Sequence, residues 1–515
     1  MVINACLNSQ ASRPAIEPTV SLFSDFRLRA HFPFTPTLSF SSAMENPRTN
    51  ATAASLPGTR PTFREAITPV LILGWPMILT QLFIMGTGFV DTVMAGRYSA
   101  ADLAGVSLAG NVLWPSFMLL TGITMALSPI TSQLRGAGRT PEIGKHIRQG
   151  LWLCLVSSTL LVSILLNAEM FFGLVDIDPE VALIASEYLL AVSWGIPPII
   201  LYVALRHTSE GLGVTRPPML IAGSVLPLNA VLNYAFVYGN WGAPEMGGVG
   251  CGWATAIVFW VEFGLMMIVV RLRYFKAATI FTEFSWPNIE LMKAILKLGI
   301  PIGIAIFLEM AMFAVVSFLI AALGVIPMAA HSIAGNLNWL TYVIPMGMGA
   351  AAGIRVGFLV GSNDLLAARV TAGAVLKFAI GYALIVSLLL VVFRVFLVQI
   401  YTTDVSVIEL ASALLVLIAV YQLVDDTQAV MIGSLRGYKD TTMPMVFSLV
   451  GYWVLALPLG YLLATGFFTD EALGVYGYWL GITAGLAVVA AMVAIRLRSL
   501  SGNAVKIRRM SQQGN

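Results

Sequence analysis

Long apolar stretches separated by short polar segments make up most of the chain from Arg64 onward. A helix needs about 20 mostly apolar residues to cross the hydrocarbon core of a bilayer. Twelve stretches reach that length. Because lipid cannot satisfy backbone polar groups, each stretch is predicted to be a helix. The predicted spans are residues 66–91, 103–132, 147–173, 181–205, 217–239, 248–270, 295–322, 326–353, 370–400, 407–433, 443–467 and 474–495.

The composition favours one membrane protein over several soluble domains. Of the 515 residues, 58% are hydrophobic and 11% are charged, whereas soluble domains contain about 25% charged residues. The net charge is only +3, and no run of basic residues predicts nucleic-acid binding. The three cysteines are scattered, which predicts neither a disulfide framework nor a metal cluster.

The first 60 or so residues have a different composition from the rest of the chain. They are rich in Ser, Thr, Pro and Asn and lack the apolar core of a signal peptide. We expect residues 1–63 to be a disordered cytoplasmic tail. Met44 is a candidate start, in which case residues 1–43 would be a spurious extension, and neither interpretation gives this segment a function.

The distribution of basic residues predicts the orientation of the spans, because cytoplasmic loops carry an excess of Lys and Arg. With the N-terminus inside, 23 basic residues fall on the cytoplasmic side. The outer side holds Arg97, with Arg394 near an outer helix end. We therefore expect twelve spans with both termini in the cytoplasm.

Two halves of the chain repeat each other. "SLAGNVLW" at 107–114 and "SIAGNLNW" at 332–339 share five of eight residues, 225 positions apart. Four further matches between the halves occur at an offset of 225 or 226. They are Gly74 and Pro76 with Gly299 and Pro301; Leu134 and Gly136 with Leu359 and Gly361; Pro218–Met219 with Pro444–Met445; and Gly248, Val249 and Trp253 with Gly474, Val475 and Trp479.

Each half holds six spans, so both halves begin on the same face and are parallel repeats. The predicted fold is an all-α integral membrane protein with twelve transmembrane helices in two six-helix bundles. The bundles cover residues 64–273 and 294–498, with a cytoplasmic linker at 274–293 and a cytoplasmic tail at 499–515. Two such halves can rock to give alternating access, with the substrate site near the midplane.

Acidic residues inside the predicted spans are the main functional candidates, since an ionisable residue there costs about 2.5–3.5 kcal/mol on insertion scales. Asp91 ends span 1, Glu309 lies in span 7, and Asp425 and Asp426 lie in span 10. No intramembrane cation is an evident partner, although Lys377 is a weaker candidate. Such acids can hold a proton, Na⁺ or an organic cation, but not all at once, which is what antiport requires.

Polar side chains and prolines add further candidates. Asn229 and Asn233 are four residues apart, so they share one helix face. With the Thr255 hydroxyl, their amide oxygens could ligate a hard cation; hydrogen bonding between helices is the alternative. The matched prolines Pro76 and Pro301 interrupt the helical hydrogen-bond ladder, which favours kinks.

Four phrases together resemble the NorM-like branch of the multidrug and toxic compound extrusion (MATE) family, over about residues 69–498. They are "GFVDTVMAG", "FVYGNWGAPEMGGVGCGWAT", "LKLGIPIGIAIFLE" and "GSLRGYKDTTMPM". The resemblance implies twelve helices in two bundles, export of cationic lipophilic drugs driven by Na⁺ or H⁺ entry, and a location in the bacterial inner membrane.

The resemblance also implies site residues. Asp91 matches the acid of the N-terminal bundle, and Asn229, Asn233 and Thr255 match positions described around it. Glu309 and Asp425 match the acids of the C-terminal bundle, and Tyr421 lies one turn before Asp425. Asp426 forms a doublet that is associated with only part of the branch, so its role stays open.

The resulting hypothesis is a multidrug efflux antiporter that works by alternating access. The alternative within transport is a flippase for lipid-linked precursors, which would be expected to offer a cationic cavity. An enzyme is not expected, because the few histidines lack metal-ligand spacing. We expect no cofactor, no metal beyond Na⁺ at the carboxylates, and a monomer whose partners are cationic drugs, the coupling ion and the lipid bilayer.

Overall fold

The computed structural model describes residues 60–172, 178–467 and 471–512, and those residues form helices and short connections without any strand. Eleven helices are long and apolar enough to cross a membrane, and a bent helix pair brings the number to twelve. The predicted fold class is therefore confirmed. The predicted tail and the candidate start at Met44 fall almost entirely outside the described residues.

The N-terminal half supplies six crossings. Its helices are α1 (Phe63–Tyr98), α2 (Ala100–Met125), α3 (Leu127–Gly136), α4 (Thr140–Leu166), α5 (Glu169–Phe172), α6 (Pro179–Ser193), α7 (Ile196–Gly211), α8 (Arg216–Tyr238) and α9 (Gly248–Val270). Helices α2 and α3 form one crossing, and α6 and α7 form another.

The C-terminal half repeats this order after α10 (Arg273–Lys276). Its helices are α11 (Ile289–Ala321), α12 (Val325–Gly361), α13 (Leu365–Val392), α14 (Arg394–Gln399), α15 (Val405–Gly437), α16 (Thr442–Ser448), α17 (Leu457–Ala464), α18 (Val475–Ser501) and α19 (Ala504–Gln512). A π-helical segment, Leu449–Ala456, joins α16 to α17 in one crossing.

Capping residues fix where the spans begin and end. Thr62 and Glu65 form a capping box at the start of α1, in which each side chain bonds the other residue's backbone N–H. Asn288 accepts a hydrogen bond from the Leu291 N–H at the start of α11. Helix α8 ends at Gly239, whose φ of 67° is a left-handed conformation that glycine adopts without steric cost.

The fourth crossing is broken rather than straight. Helices α6 and α7 meet at an angle of 54° across Trp194 and Gly195. Pro197 and Pro198 follow after Ile196, and proline has no N–H to continue the hydrogen-bond ladder. Gly195 lies so close to α9 that a Cβ there would stand 2.8 Å from the Cα of Ala256. The break therefore lets the span pack closely on α9.

The two prolines that the repeat matches lie within continuous helix. Pro76 is inside α1 and Pro301 is inside α11, and both are buried. Kinks at these two positions stay a prediction. In the eleventh crossing the irregularity takes a different form, because the π-helical segment ends just before Pro458. A wider turn is one way to accommodate a missing backbone donor.

The two halves meet with approximate two-fold symmetry. A Cβ at Gly136 would contact Phe358, and a Cβ at Gly361 would contact Gln133. The offset of 225 relates Gly136 to Gly361 and Gln133 to Phe358. In the same way Gly122 faces Gly303, while their repeat mates Gly347 and Ile78 face each other. Reciprocal contacts of this kind are the mark of a two-fold axis, which confirms the parallel repeat.

These contacts lie on one side of the predicted membrane. Gly122, Gly136, Gly303 and Gly361 all stand in the parts of their helices nearest the side on which α1 begins and α18 ends. We call this the terminus side. The side chain of Gln133 adds a hydrogen bond of 2.8 Å from its Nε2 atom to the carbonyl oxygen of Gly437 in the other half. The structure is therefore closed on the terminus side.

Candidate functional site

Asp91 lies near the end of α1 and is surrounded by polar groups from two other helices. Its Oδ1 atom accepts hydrogen bonds from the amide nitrogens of Asn229, at 3.1 Å, and Asn233, at 2.6 Å. The Thr255 hydroxyl donates to Oδ2 at 3.2 Å. The four residues named from the sequence are thus brought together, and all four are buried.

The two asparagines present nitrogen rather than oxygen to the carboxylate. Asn233 Nδ2 also lies 3.1 Å from the Oδ1 atom of Asn229, so the pair forms a short chain of hydrogen bonds along α8. The Oδ1 atom of Asn233 is buried and has no hydrogen-bond partner among the described residues. Hydrogen bonds of this kind stabilise the anionic form of Asp91.

The acids of the C-terminal half form a second group, between α11 and α15. Asp425 is buried and interacts electrostatically with both Glu309 and Asp426. Glu309 is half-buried, on α11. The side chain of Tyr421 interacts with the Asp425 carboxyl one turn later. The structure therefore groups the four residues that the sequence proposed for this half.

Asp426 points to different surroundings from those of its neighbour. Its Oδ1 atom accepts a hydrogen bond of 2.6 Å from the Nε2 atom of Gln422, while Oδ2 is buried without a partner among the described residues. Consecutive residues on a helix point about 100° apart. The doublet is consistent with one acid directed toward Glu309 and the other held by its own helix.

Aromatic rings enclose the C-terminal group. Tyr421 makes edge contacts with Phe313, at a centroid distance of 6.4 Å, and with Trp479, at 5.7 Å. His331 packs on Trp479 and shares a hydrogen bond of 2.9 Å with the Ser317 hydroxyl. His331 is therefore a packed side chain next to this aromatic cluster.

None of the candidate acids forms an ion pair within the described part of the chain. The four ion pairs found there, at N–O distances of 4.0 Å or less, involve other carboxylates. Arg436, near the terminus-side end of α15, is the basic group that acts on Glu309, and it does so from beyond ion-pair distance. Lys377 is exposed on α13 and forms no ion pair with these acids.

Both acid groups lie beyond the contact that closes the terminus side, in the part of the protein away from the termini. Along α11, Glu309 follows Gly303 by six residues, or about 9 Å at the helical rise. Along α1, Asp91 follows Ile78 by thirteen residues, or about 20 Å. The contact between the halves therefore separates the acids from the terminus side.

Several contributors to these sites are not evident from the sequence. Tyr342 and Tyr452 are near enough to Glu309 and Asp425 to interact with them electrostatically. Gln422 could have been found, because it precedes Asp426 by one turn. Asp102 is different: it accepts the Gly248 N–H at 2.5 Å and so ties the start of α9 to α2, which is a structural role.

Comparison with known proteins places this arrangement in a family. The MatE family model matches residues 76–235 and 301–462, one block in each half. The multidrug resistance protein NorM of Vibrio cholerae is 39% identical over 437 residues, which cover 84% of this chain and 96% of that protein. The multidrug resistance protein MdtK of Yersinia pseudotuberculosis is 38% identical over 433 residues, covering 84% of this chain and 95% of that protein.

A solved structure gives the same fold. The crystal structure of the eukaryotic MATE transporter AtDTX14 superposes with a TM-score of 0.80 at 19% identity, covering 88% of this chain and all of that chain. Fold, repeat and sequence identity agree over most of the described length. The chain therefore belongs to the MATE transporter family, in its NorM-like branch.

Proposed function

We propose that this protein is a multidrug efflux antiporter that exports cationic lipophilic compounds in exchange for Na⁺ or H⁺. The observation that carries the proposal is the placement of Asp91, Glu309 and Asp425, which have no ion-pair partner in the described part of the chain. These acids lie beyond the contact that closes the terminus side between two repeat-related halves. Relatives with 38–39% identity are named multidrug resistance proteins, which supports the substrate class.

The proposed cycle uses competition at the carboxylates. A cationic compound binds to the acids from the terminus side or the bilayer, and the halves rock so that the site faces the other side. An incoming ion then neutralises Glu309 and Asp425, or Asp91, and the affinity for the compound falls. Because the two ligands compete, each weakens the other's binding by the same factor.

The energy available to this exchange is sufficient for useful export. One charge that crosses 100 mV releases about 2.3 kcal/mol, which sustains roughly a forty-fold concentration gradient at about 1.4 kcal/mol per decade. If the exported compound carries one positive charge, one-for-one exchange is electroneutral. In that case only the chemical gradient of the ion drives transport.

The flippase alternative is less well supported. A carrier for lipid-linked pyrophosphates would need basic groups in the cavity, whereas both grouped sites are built on carboxylates. We further propose a monomer in the bacterial inner membrane with both termini in the cytoplasm, so that the terminus side is cytoplasmic. The excess of Lys and Arg on that side supports this orientation.

Ethidium accumulation in bacteria tests the proposed function. Cells that express the chain should accumulate less ethidium than cells with an empty vector, and an ionophore that collapses the ion gradients should abolish the difference. Equal accumulation in both strains, with the protein present in the membrane, would refute multidrug export.

A further inference from the structure

A small basic cavity lies on the terminus side of the C-terminal half, away from the acids of the proposed transport site. Its volume is about 180 Å³. It lies between the start of α16, the loop after α15 and parts of α11, α18 and α19. The residues that define its chemistry are Lys297, Lys439, Asp440, Thr441, Arg496 and Met510.

The loop that carries Lys439 repeats a helix end from the other half. In the N-terminal half the N–H of Gly213 bonds the Glu210 carbonyl at 2.8 Å, and the N–H of Val214 bonds the Ser209 carbonyl at 2.9 Å. At an offset of 226, the N–H groups of Lys439 and Asp440 make the corresponding bonds at 2.9 and 3.0 Å. Both are Schellman motifs, which terminate a helix with a left-handed residue.

The left-handed position is glycine in one half and lysine in the other. Gly213 has φ of 77° and Lys439 has φ of 60°. Glycine adopts this conformation without steric cost, whereas a residue with a Cβ does not. Strained positions of this kind are frequent at ligand-binding sites. The long Lys439 side chain thus occupies a position where its repeat mate has none.

Two polar side chains of the cavity, Lys439 and Thr441, have weak or no hydrogen-bond partners among the described residues. Arg496 Nε and Asp440 Oδ2 form an ion pair of 2.6 Å, so the charge of Asp440 is neutralised by Arg496. Lys439 is buried and its Nζ atom donates to the Ser511 carbonyl at 3.3 Å, a long hydrogen bond to a neutral group. The Thr441 hydroxyl is buried and has no hydrogen-bond partner among the described residues. With Asp440 paired to Arg496, the charge of Lys439 has no acidic partner among the described residues.

The helix beside the cavity has the residue pattern of a helix that lies on a membrane surface. Helix α19 buries Ile507 and places Met510 at the cavity, while Val505 is 80% exposed. It also carries Lys506, Arg508 and Arg509. A short amphipathic helix with basic residues, directly after a membrane span, is typical of a segment at the lipid headgroup level, where anionic lipids attract basic side chains.

We propose that this cavity binds a phosphate group through Lys439, Lys297, Arg496 and the Thr441 hydroxyl, and that the group belongs to the headgroup of an anionic phospholipid in the terminus-side leaflet. Lysine and arginine are the usual partners of phosphate oxygens, and an inward-facing hydroxyl adds a donor. The inference is independent of which compounds the protein exports.

Thermal unfolding of the purified full-length protein in detergent tests this proposal with two probes, a short-chain phosphatidylglycerol and inorganic phosphate. We expect phosphatidylglycerol to raise the unfolding temperature of the wild type. Lys439→Gly should need about ten-fold more lipid for the same effect, the loss expected for one charge-assisted contact. Glycine suits the left-handed backbone, so this variant should fold. Thr441→Val provides a second, nearly isosteric variant.

Lys293→Gln is the matched control, because Lys293 is an exposed lysine one turn before Lys297 that does not line the cavity. It should respond as the wild type does. If inorganic phosphate gives the stronger response and shows the same dependence on Lys439, the phosphate site stands and its ligand is a soluble phosphate. If wild type, Lys439→Gly and Thr441→Val respond alike to both probes, the proposal is wrong.

Discussion

Asn233 donates a hydrogen bond of 2.6 Å to the Oδ1 atom of Asp91, joining the last turns of α8 to the last turns of α1. Asn229, one turn earlier on α8, donates to the same oxygen atom at 3.1 Å. Hydrogen bonds to a carboxylate stabilise its charged form, and both amides are buried with it. These two amides therefore hold the carboxylate of the N-terminal half in place, where we propose that it binds a cation.

Replacing Asn233 with leucine should weaken transport. The change keeps the side-chain size but removes a charge-assisted hydrogen bond, which is typically worth about 1.5–3 kcal/mol. Ethidium efflux at a fixed ion gradient should fall by about ten-fold or more. Asn336→Leu is the control, because the Asn336 amide donates to the Ser332 carbonyl of its own helix. Equal losses in the two variants would contradict a specific role for the Asp91 contact.

Glu309→Gln should abolish ethidium efflux while leaving the amount of protein in the membrane unchanged. The substitution keeps the shape of the side chain but removes the charge that a cation would neutralise. Glu290→Gln is the matched control, since Glu290 lies in the first turn of the same helix and is exposed. Efflux is measured from preloaded cells, with membrane protein quantified in parallel. Wild-type efflux by Glu309→Gln would remove this residue from the proposed site.

Gly122→Ala should destabilise the closed contact between the halves. An added Cβ would lie 2.2 Å from the backbone nitrogen of Gly303, a distance that real contacts do not tolerate. Gly110→Ala on the same helix has ordinary contacts, with the nearest atom of Trp114 at 3.5 Å. Alanine is also a better helix former than glycine, so the control should fold at least as well.

A cysteine at Ser132 reports the closed contact, because Ser132 is fully buried against Gly357 of the other half. In otherwise wild-type protein, a polar maleimide should label Ser132→Cys slowly. Labelling should be faster when Gly122→Ala is added and unchanged with Gly110→Ala. Slow labelling in all three proteins would show that the Gly122 contact does not control closure.

The proposed phosphate site should lose affinity as the pH rises through about 8. Burial, reinforced by the charge of Arg139, lowers the pKa of Lys439 to about 8. The other charged groups at the cavity are Lys297, Arg496 and Asp440. Above that pH the lysine becomes neutral and attracts an anion less, although a bound anion would itself move the transition to higher pH.

Titration of phosphatidylglycerol binding between pH 6.5 and 9.5 checks this expectation, since these values bracket the pKa of Lys439 near 8. A phosphodiester does not titrate in this range, so the lipid itself stays charged. Wild-type affinity should decline with rising pH, and Lys439→Gly should show a smaller decline. Parallel pH profiles for the two proteins would exclude Lys439 as the titrating group.

The same lysine gives a prediction for stability. Left-handed backbone costs a residue with a Cβ roughly 1–2 kcal/mol relative to glycine. Without added lipid, Lys439→Gly should therefore unfold at the same temperature as the wild type or at a higher one. Thermal unfolding of the detergent-solubilised proteins measures this. A clear loss of stability would indicate that the hydrogen bond from Lys439 to the Ser511 carbonyl outweighs the strain.

Much of the fold follows from the sequence because its signals are local or periodic. Apolar length predicts the crossings, and the offset of 225 predicts the parallel repeat. That offset even relates the contacts between the halves, such as Gly136 with Phe358 and Gly361 with Gln133. The grouping of Asn229 and Asn233 is equally local, since four residues make one helical turn.

Features that depend on packing between distant segments could not be predicted. The 54° break at Gly195 depends on close contact with Ala256, and the π-helical segment lies on α18 near Gly485. The closure on the terminus side depends on how two whole bundles pack, which no local pattern encodes. The basic cavity forms where the segment "GSLRGYKDTTMPM" packs beside α18 and α19, and the sequence of that segment does not indicate this packing.

Ethidium transport by the purified protein in liposomes, under an imposed Na⁺ gradient and then under an imposed H⁺ gradient, tests the central claim most directly. The account predicts that at least one inward ion gradient drives ethidium against its own concentration gradient, and that Glu309→Gln abolishes this movement. If neither gradient moves ethidium uphill through the folded wild-type protein, the proposed exchange of ions for cations at these carboxylates is wrong.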